Sequence, residues 1–223
     1  IRLRLRRSDG ESISDLAMDN LTVFLSNVSG NSWPLLELLS TQVQGLVARS
    51  TDRRADWHLP LPKGRIVQRG FETDEALLPT PRQVFDGYRL LQEFFAMPER
   101  FRFVDLQGLR PALERAQGPE VDIYMLLREG MSEIAPIVTP EVFTLNAVPA
   151  VNLFEKRCDR VQVGPHDTEH HVIPNRTAGL DFEIYSLSSV TGISGEGEDD
   201  VTFRPFYSAT DFTAAGETFP AYY

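Results

Sequence analysis

The side chains of this sequence best equipped for chemistry lie between 166 and 171: His166, Asp167, Glu169, His170 and His171. Imidazole and carboxylate together suit zinc or iron. His166 and His170 stand four residues apart, the step that aims two rings at one ion from a helix face. The neighbours argue against that helix. Gly164, Pro165 and Pro174 bracket the cluster, and in an extended segment His170 and His171 point to opposite faces. The stronger reading is a set of structural or solvated histidines. A metal-dependent hydrolase using His166, His170 and His171 is the alternative.

Nucleophilic catalysis needs a serine or cysteine with a base and an orienting acid, and no Gly-x-Ser-x-Gly elbow is present. Cys158 sits among Lys156, Arg157 and Arg160, whose charge would lower a thiol pKa, but a half-buried thiol at a strand edge accounts for it as well. Paired carboxylates such as Asp74/Glu75 and Asp199/Asp200 are too ordinary in an acidic chain to mark a glycosidase. There is no glycine-rich phosphate loop. A carbohydrate-binding β module is a further alternative, with Tyr207, Phe212, Phe219, Tyr222 and Tyr223 as its candidate aromatics. Core or interface packing explains those residues more simply. No catalytic, cofactor-binding or metal residue is assigned, and no cofactor is expected.

Composition narrows the classes further. Thirty-two acidic residues against 22 Lys and Arg give a formal charge of −10, a balance that repels phosphate backbones and argues against nucleic acid. Hydrophobic and charged fractions of 42% and 24% are those of a globular protein. No run approaches the ~18 apolar residues of a spanning helix, so membrane insertion is not expected. The first residues lack the apolar core of a signal peptide. The start in a strand pattern and the end at Phe219–Tyr223 suggest a fragment of a longer protein. The single cysteine excludes an internal disulfide and fits a reducing compartment, the cytoplasm.

The elements that would carry any site follow from periodicity. Ile1, Leu3 and Leu5 alternate with Arg2, Arg4 and Arg6, which predicts an edge strand protected by charge. Residues 21–25 predict a second strand paired with the first or near it. Ser32 and Pro34 suit the start of a helix over 33–49, with Leu35, Leu38, Leu39, Val43, Leu46 and Val47 on its apolar stripe. Residues 57–61 and 65–71 predict short extended pieces, and Thr73 opens an acidic helical turn. The central stretch, 81–103, predicts an amphipathic helix that buries Val84, Tyr88, Leu91, Phe94 and Phe95 and ends at Pro98. After it, Phe101 and Phe103 would take one side of a strand and Arg100 and Arg102 the other. On this reading Leu91→Asp unfolds the first domain. A short helix over 111–117 and a strand over 121–128 follow. Short strands are expected at 161–163, 171–173, 182–187 and 201–203, with an exposed acidic loop at 192–200.

Several of these stretches, taken in order, resemble the TssF (VasA/ImpG) family of baseplate subunits in bacterial type VI secretion systems. They are DEALLP at 74–79, Gly87-Tyr-Arg-Leu-Leu-Gln-Glu-Phe-Phe95 with Pro98, Glu99 and Phe101, and Phe143-Thr-Leu-Asn146. Pro149-Ala-Val-Asn-Leu-Phe154, Pro174 after HHVI, Glu183 to Val190, and Arg204-Pro-Phe-Tyr-Ser208 continue the series. The resemblance implies a wedge component with no catalytic residues. Its implied partners are TssG, a second TssF copy, TssK, TssE and the spike or hub. The implied place is the cytoplasmic face of the inner membrane, where sheath and tube polymerisation begins.

The fold expected is α+β, rich in antiparallel sheet. A mixed domain over 1–137 would be followed by a β-rich, sandwich-like domain over 138–223, with partner-interface residues left unassigned.

Overall fold

The computed structural model describes residues 1–27, 30, 32–52, 54–79, 85–129, 133–136, 138–164, 166–193, 200–205 and 222–223. It has the expected α+β class, and the chain divides into two compact units, 1–152 and 153–223.

The first unit is built from two four-stranded antiparallel sheets. One runs β1 (Arg2–Arg6), β7 (Glu120–Leu127), β3 (Val43–Ser50), β4 (His58–Leu61). The other runs β5 (Arg65–Gln68), β6 (Phe103–Gln107), β2 (Leu21–Leu25), β8 (Phe143–Thr144). Both contribute to one core, in which Leu46, Ala48, Val121 and Ile123 of the first sheet join Val23, Leu25, Val104 and Leu106 of the second. α1 (Ser32–Thr41) adds Leu35, Leu36, Leu38 and Leu39. Each such leucine contributes roughly 1.5–3 kcal/mol by leaving water. α3 (Arg110–Arg115) follows Gly108, whose φ of 74° is in the left-handed region. A Cβ there would meet the Lys63 carbonyl carbon at 2.8 Å, so this turn needs glycine.

β1 is the charged edge strand its alternation predicts. Its arginines face outward, and Arg4 holds Asp122 of β7 through two bonds of 2.8 and 3.0 Å. β2 does not pair with β1. It pairs with β6 and β8 in the other sheet, where its buried Val23 stands opposite Val104 and its buried Leu25 opposite Phe143.

The helix expected over 33–49 stops at Thr41, and 43–50 is β3. Val43, Leu46 and Val47 satisfy a helical stripe, yet the segment is laddered to β4 on one side and β7 on the other. Two paired edges outweigh a helix that could bury only one face. Gly45 lies at the register shift beside Val43. The strand expected to include Phe101 is likewise displaced. Residues 98–102 form a 3₁₀ turn, and β6 starts at Phe103.

Residues 138–152, grouped from sequence with the second domain, contribute Val142 and β8 to the first unit's core and sheet. In the second unit, β9 (Val190–Gly192) and β10 (Val201–Phe203) form an antiparallel hairpin. Strands at 161–163, 171–173 and 182–187 were expected and are not formed. Their apolar residues alternate correctly but join no strand ladder among the described residues, and Val161, Val163, Val172 and Ile184 stay exposed. None of the unit's described residues is buried. Of the acidic loop expected at 192–200, residues 194–199 lie outside the described residues, as do Val84, Tyr207, Phe212 and Phe219.

Candidate interaction surface

α2 (Asp86–Ala96) begins after Phe85 and ends at Met97, whose amide donates to the Glu93 carbonyl at 2.8 Å before Pro98 turns the chain. Its amphipathic pattern is strong, and its orientation is the reverse of the expected one. The buried residues are Arg89, 4% exposed, and Glu93, 2% exposed. Leu91 is 57% exposed and Phe95 81%, with Phe85, Tyr88 and Phe94 also open to solvent.

The polar underside is tied down by a connected set of charges. Arg89 grips Asp86 through Nε and Nη2 at 2.7 and 2.8 Å, and its Nη1 donates to Glu93 Oε2 at 3.2 Å. The same oxygen accepts from Arg100 Nη1, which also donates to the Gly70 carbonyl at 2.9 Å. Arg100 Nη2 reaches the Glu75 carbonyl. Glu93 Oε1 accepts the amides of Leu77 and Leu78 at 3.0 and 3.1 Å.

Two guanidiniums and two amides thus serve one buried carboxylate. That number of donors is what allows the ions to be desolvated without ruinous cost. Asp86 is held below the usual carboxylate range by its bond to Arg89, and Arg89 is raised in turn. Burial lowers Arg100, with the neighbouring Arg89 acting in the same direction and Glu93 opposing it.

The 70–78 segment is anchored to this network. Arg69 Nε donates to Glu75 Oε1 at 2.5 Å, and the Gly70 amide donates to Glu75 Oε2 at 2.6 Å. Burial disfavours the charge on Glu75, but Arg69 and the amides of Gly70 and Glu72 outweigh it, so its carboxyl is depressed. Gly70, at φ 111°, leaves room for the Phe101 ring, whose Cδ1 would stand 3.0 Å from a Cβ. Arg102 runs the other way, to the buried Ser32 hydroxyl at 2.8 Å and over the Phe24 ring at 5.1 Å. Arg100 and Arg102, expected on the side of a strand opposite Phe101 and Phe103, are both buried.

On the outer side, the rings form a chain of contacts. Phe94 lies 5.7 Å from Phe101, 5.8 Å from Phe95 and 6.4 Å from Trp33, and Phe71 lies 5.4 Å from Phe101. Phe85 meets Tyr88 edge-on at 5.8 Å. Trp33 and Phe71 are both exposed, and the face is larger than the scattered apolar residues normal on a surface. Glu72 and Asp74 are exposed in the segment after Phe71, Asp86 at the start of α2 is taken by Arg89, and Glu99 stands 3.6 Å from Arg102.

The residues singled out for chemistry are not assembled. His166, His170 and His171 are exposed, and among the described residues no three His, Cys, Asp or Glu side chains are placed to hold a metal ion. The Cys158 Sγ has the Lys156 carbonyl at 3.9 Å. Tyr222 and Tyr223 are both exposed, and the Tyr223 hydroxyl donates to the Leu187 carbonyl at 3.3 Å. The small cavity bordered by Thr22, Arg69, Glu75, Arg100 and Val148 has its charges already paired. Among the described residues no helix is long and apolar enough to cross a membrane.

The family model described as "Type VI secretion system, TssF" matches residues 1–223. The chain belongs to the TssF family. It is 38% identical over 211 residues to the type VI secretion system component TssF1 of Pseudomonas aeruginosa PAO1, a match covering 95% of this chain and 33% of that protein. It therefore spans about a third of the length of this curated TssF relative. A chain of the TssK-TssF-TssG baseplate subcomplex, solved by cryo-electron microscopy, is similar in fold. The TM-score is 0.59 at 24% identity, over 92% of this chain and 40% of that one.

The surface of this TssF-family chain was missed in the sequence because periodicity shows which residues share a face, not which way it points. One signal was available: Arg89 and Glu93 at an i,i+4 spacing, followed by Arg100 across a proline turn, amount to three charges with one another for partners.

Proposed function

We propose that this chain is a structural, non-catalytic part of the type VI secretion baseplate that acts through protein–protein contacts, with TssG as its direct pair and TssK joining the complex. The observation that carries this reading is the match of the whole chain, 1–223, to the TssF family. It is supported by the likeness to a chain of the TssK-TssF-TssG subcomplex. The wide apolar face on α2, with no assembled set of reactive side chains among the described residues, fits a role in assembly.

The finer reading is a wedge that pairs with a second copy, meets TssE and the spike, and works in the cytoplasm against the inner membrane. There it starts sheath and tube polymerisation. The test is co-purification of the full-length protein with TssG and TssK, followed by sheath assembly in cells that lack the gene or carry it. Stable association and gene-dependent sheaths are expected. A full-length protein that associates with neither partner overturns the reading.

A further inference from the structure

Between β5 and β6 the chain makes an excursion over residues 70–102 that carries α2. We propose that this excursion is a separately cooperative element, which opens and closes as one block while the two sheets and α1 stay folded. It is a conformational switch built into the first unit.

The ends of the excursion meet without its help. β5 and β6 are antiparallel neighbours, Gln68 stands opposite Val104, and the Arg69 amide donates to the Phe103 carbonyl at 2.9 Å. Opening the excursion therefore breaks no bond of that ladder, and the length of the loop adds little to the cost of keeping its ends together.

Inside, it is held by its own charges. None of its described residues belongs to the hydrophobic core. Its buried side chains, among the described residues, are Arg89, Glu93, Arg100, Phe101 and Arg102. Phe101, the apolar one, packs on Phe71 and Phe94 of the same excursion at 5.4 and 5.7 Å. Glu93 gathers Arg89, Arg100 and the amides of Leu77 and Leu78, and Arg100 adds the carbonyls of Gly70 and Glu75. These groups are distant in sequence but share one carboxylate and one guanidinium. None can leave without unpairing the others, which is the condition for a single opening step.

Its hold on the rest of the unit is lighter. Gln68 Nε2 donates to the Phe101 carbonyl at 2.7 Å, Arg69 holds Glu75, and Arg102 reaches the Ser32 hydroxyl and the Phe24 ring. The apolar tie is the exposed pair Phe94 and Trp33, 6.4 Å apart. The Nε atoms of Arg100 and Arg102 are buried with no hydrogen-bond partner among the described residues, which penalises the closed state. A cavity of about 250 Å³ at the root, bordered by Thr22, Arg69, Glu75, Arg100 and Val148, leaves the junction with the sheet underpacked. Desolvated charges fix geometry more readily than they add net stability, whereas the sheets and α1 are joined by apolar burial. Opening carries Tyr88, Leu91, Phe94 and Phe95 away together and frees the Ser32 hydroxyl, so the aromatic face of α2 belongs to a movable part.

The experiment is native-state hydrogen exchange on the full-length protein, followed through urea concentrations below the unfolding transition. The amides of Leu77 and Leu78, bonded to Glu93, are expected to join those of residues 90–97 on one isotherm. That isotherm should be shallower in urea than the isotherm of β3 and β7, and its exchange about a hundred-fold or more faster. Leu39→Ala separates the two parts. It removes packing from the core alone, so exchange in β3 and β7 should rise about thirty-fold or more while the excursion stays within about two-fold of wild type.

A common isotherm for α2 and β7 overturns the inference, as does a Leu39→Ala variant that speeds exchange in both alike. Leu77 and Leu78 exchanging apart from α2 also overturns it, since the excursion then frays piecemeal. Should Leu39→Ala fail to fold, the urea series on the wild type decides by itself.

Discussion

Two helices of nearly equal length lie in the first unit with opposite orientations. α1 turns Leu35, Leu36, Leu38 and Leu39 into the core and leaves Glu37 outside. α2 turns Arg89 and Glu93 inward and leaves Tyr88, Leu91, Phe94 and Phe95 outside. The first follows the usual economy, in which burial of apolar surface drives docking. The second is docked by hydrogen-bonded charge, which contributes specificity of placement more readily than net stability. A helix held in that way keeps its apolar face available. The difference separates the part of this unit that makes it fold from the part that gives it something to bind.

The largest expected effect belongs to α1. Leu39→Asp would bury a carboxylate among the apolar side chains of the core, a change that few domains survive when total stability is about 5–15 kcal/mol. Loss of the cooperative thermal transition is the expected result. A variant that melts like wild type would mean that α1 is not the apolar anchor, and the contrast between the helices would collapse.

The ionic anchor comes next. Glu93→Ala removes the acceptor shared by Arg89, Arg100, Leu77 and Leu78, leaving the buried Arg100 charge with backbone carbonyls in place of its bonded carboxylate. Denaturant titration should show a loss of about 3–5 kcal/mol. Replacing Arg89, Glu93 and Arg100 together by Met, Leu and Met sharpens the point, because a concerted apolar swap is expected to be near neutral or stabilising. If both changes cost the same, desolvated charge is not what orients α2.

Acid should act on the same region more gently. The Glu75 carboxyl sits below its ordinary value of 4.5, since Arg69 and two amides outweigh the opposing effect of burial. A carboxyl depressed on folding contributes stability above its unfolded value, and that contribution disappears as the pH falls through the folded value. The melting temperature is expected to hold from neutrality to about pH 5 and to fall below 4.5. Glu75→Gln should shallow that acid limb. An unchanged limb would show that the 70–78 segment is not tied to α2 through this carboxylate.

How much of this could be read beforehand depends on what each residue's neighbours decide. β1, β2, β7 and α3 were legible because alternation or a bounded helical run leaves one reading, and Pro98 ended α2 where its missing amide required. β3 was not legible. Val43, Leu46 and Val47 fit both periods, and the choice was made by β4 and β7, distant in sequence. The second unit shows the reverse failure, in which Val161, Val163 and Ile184 have strand-like spacing but no described partner strand. At the candidate surface the sequence displayed the two faces of α2 correctly and assigned them the wrong sides. Phe101 and Phe103 gave a similar false signal, since the intervening Arg102 is buried against Ser32 and not solvated. Charges that satisfy one another across a turn are invisible to a hydropathy pattern.

The smallest expected effect is the most pointed. Leu91→Asp, which periodicity alone marks as a core-breaking change, replaces a side chain that is 57% exposed. It leaves the Arg89–Glu93–Arg100 contacts untouched. Surface substitutions away from such features usually stay within about 0.5 kcal/mol, and Asp in a helix interior costs no more than about 0.7 kcal/mol in propensity. The melt of the full-length protein should therefore be cooperative and close to wild type, by calorimetry or circular dichroism. Unfolding would return Leu91 to the core and make α2 a second copy of α1. A near-native melt, beside the collapse of Leu39→Asp, would demonstrate that one strongly amphipathic helix of this unit presents its apolar face for something other than its own interior.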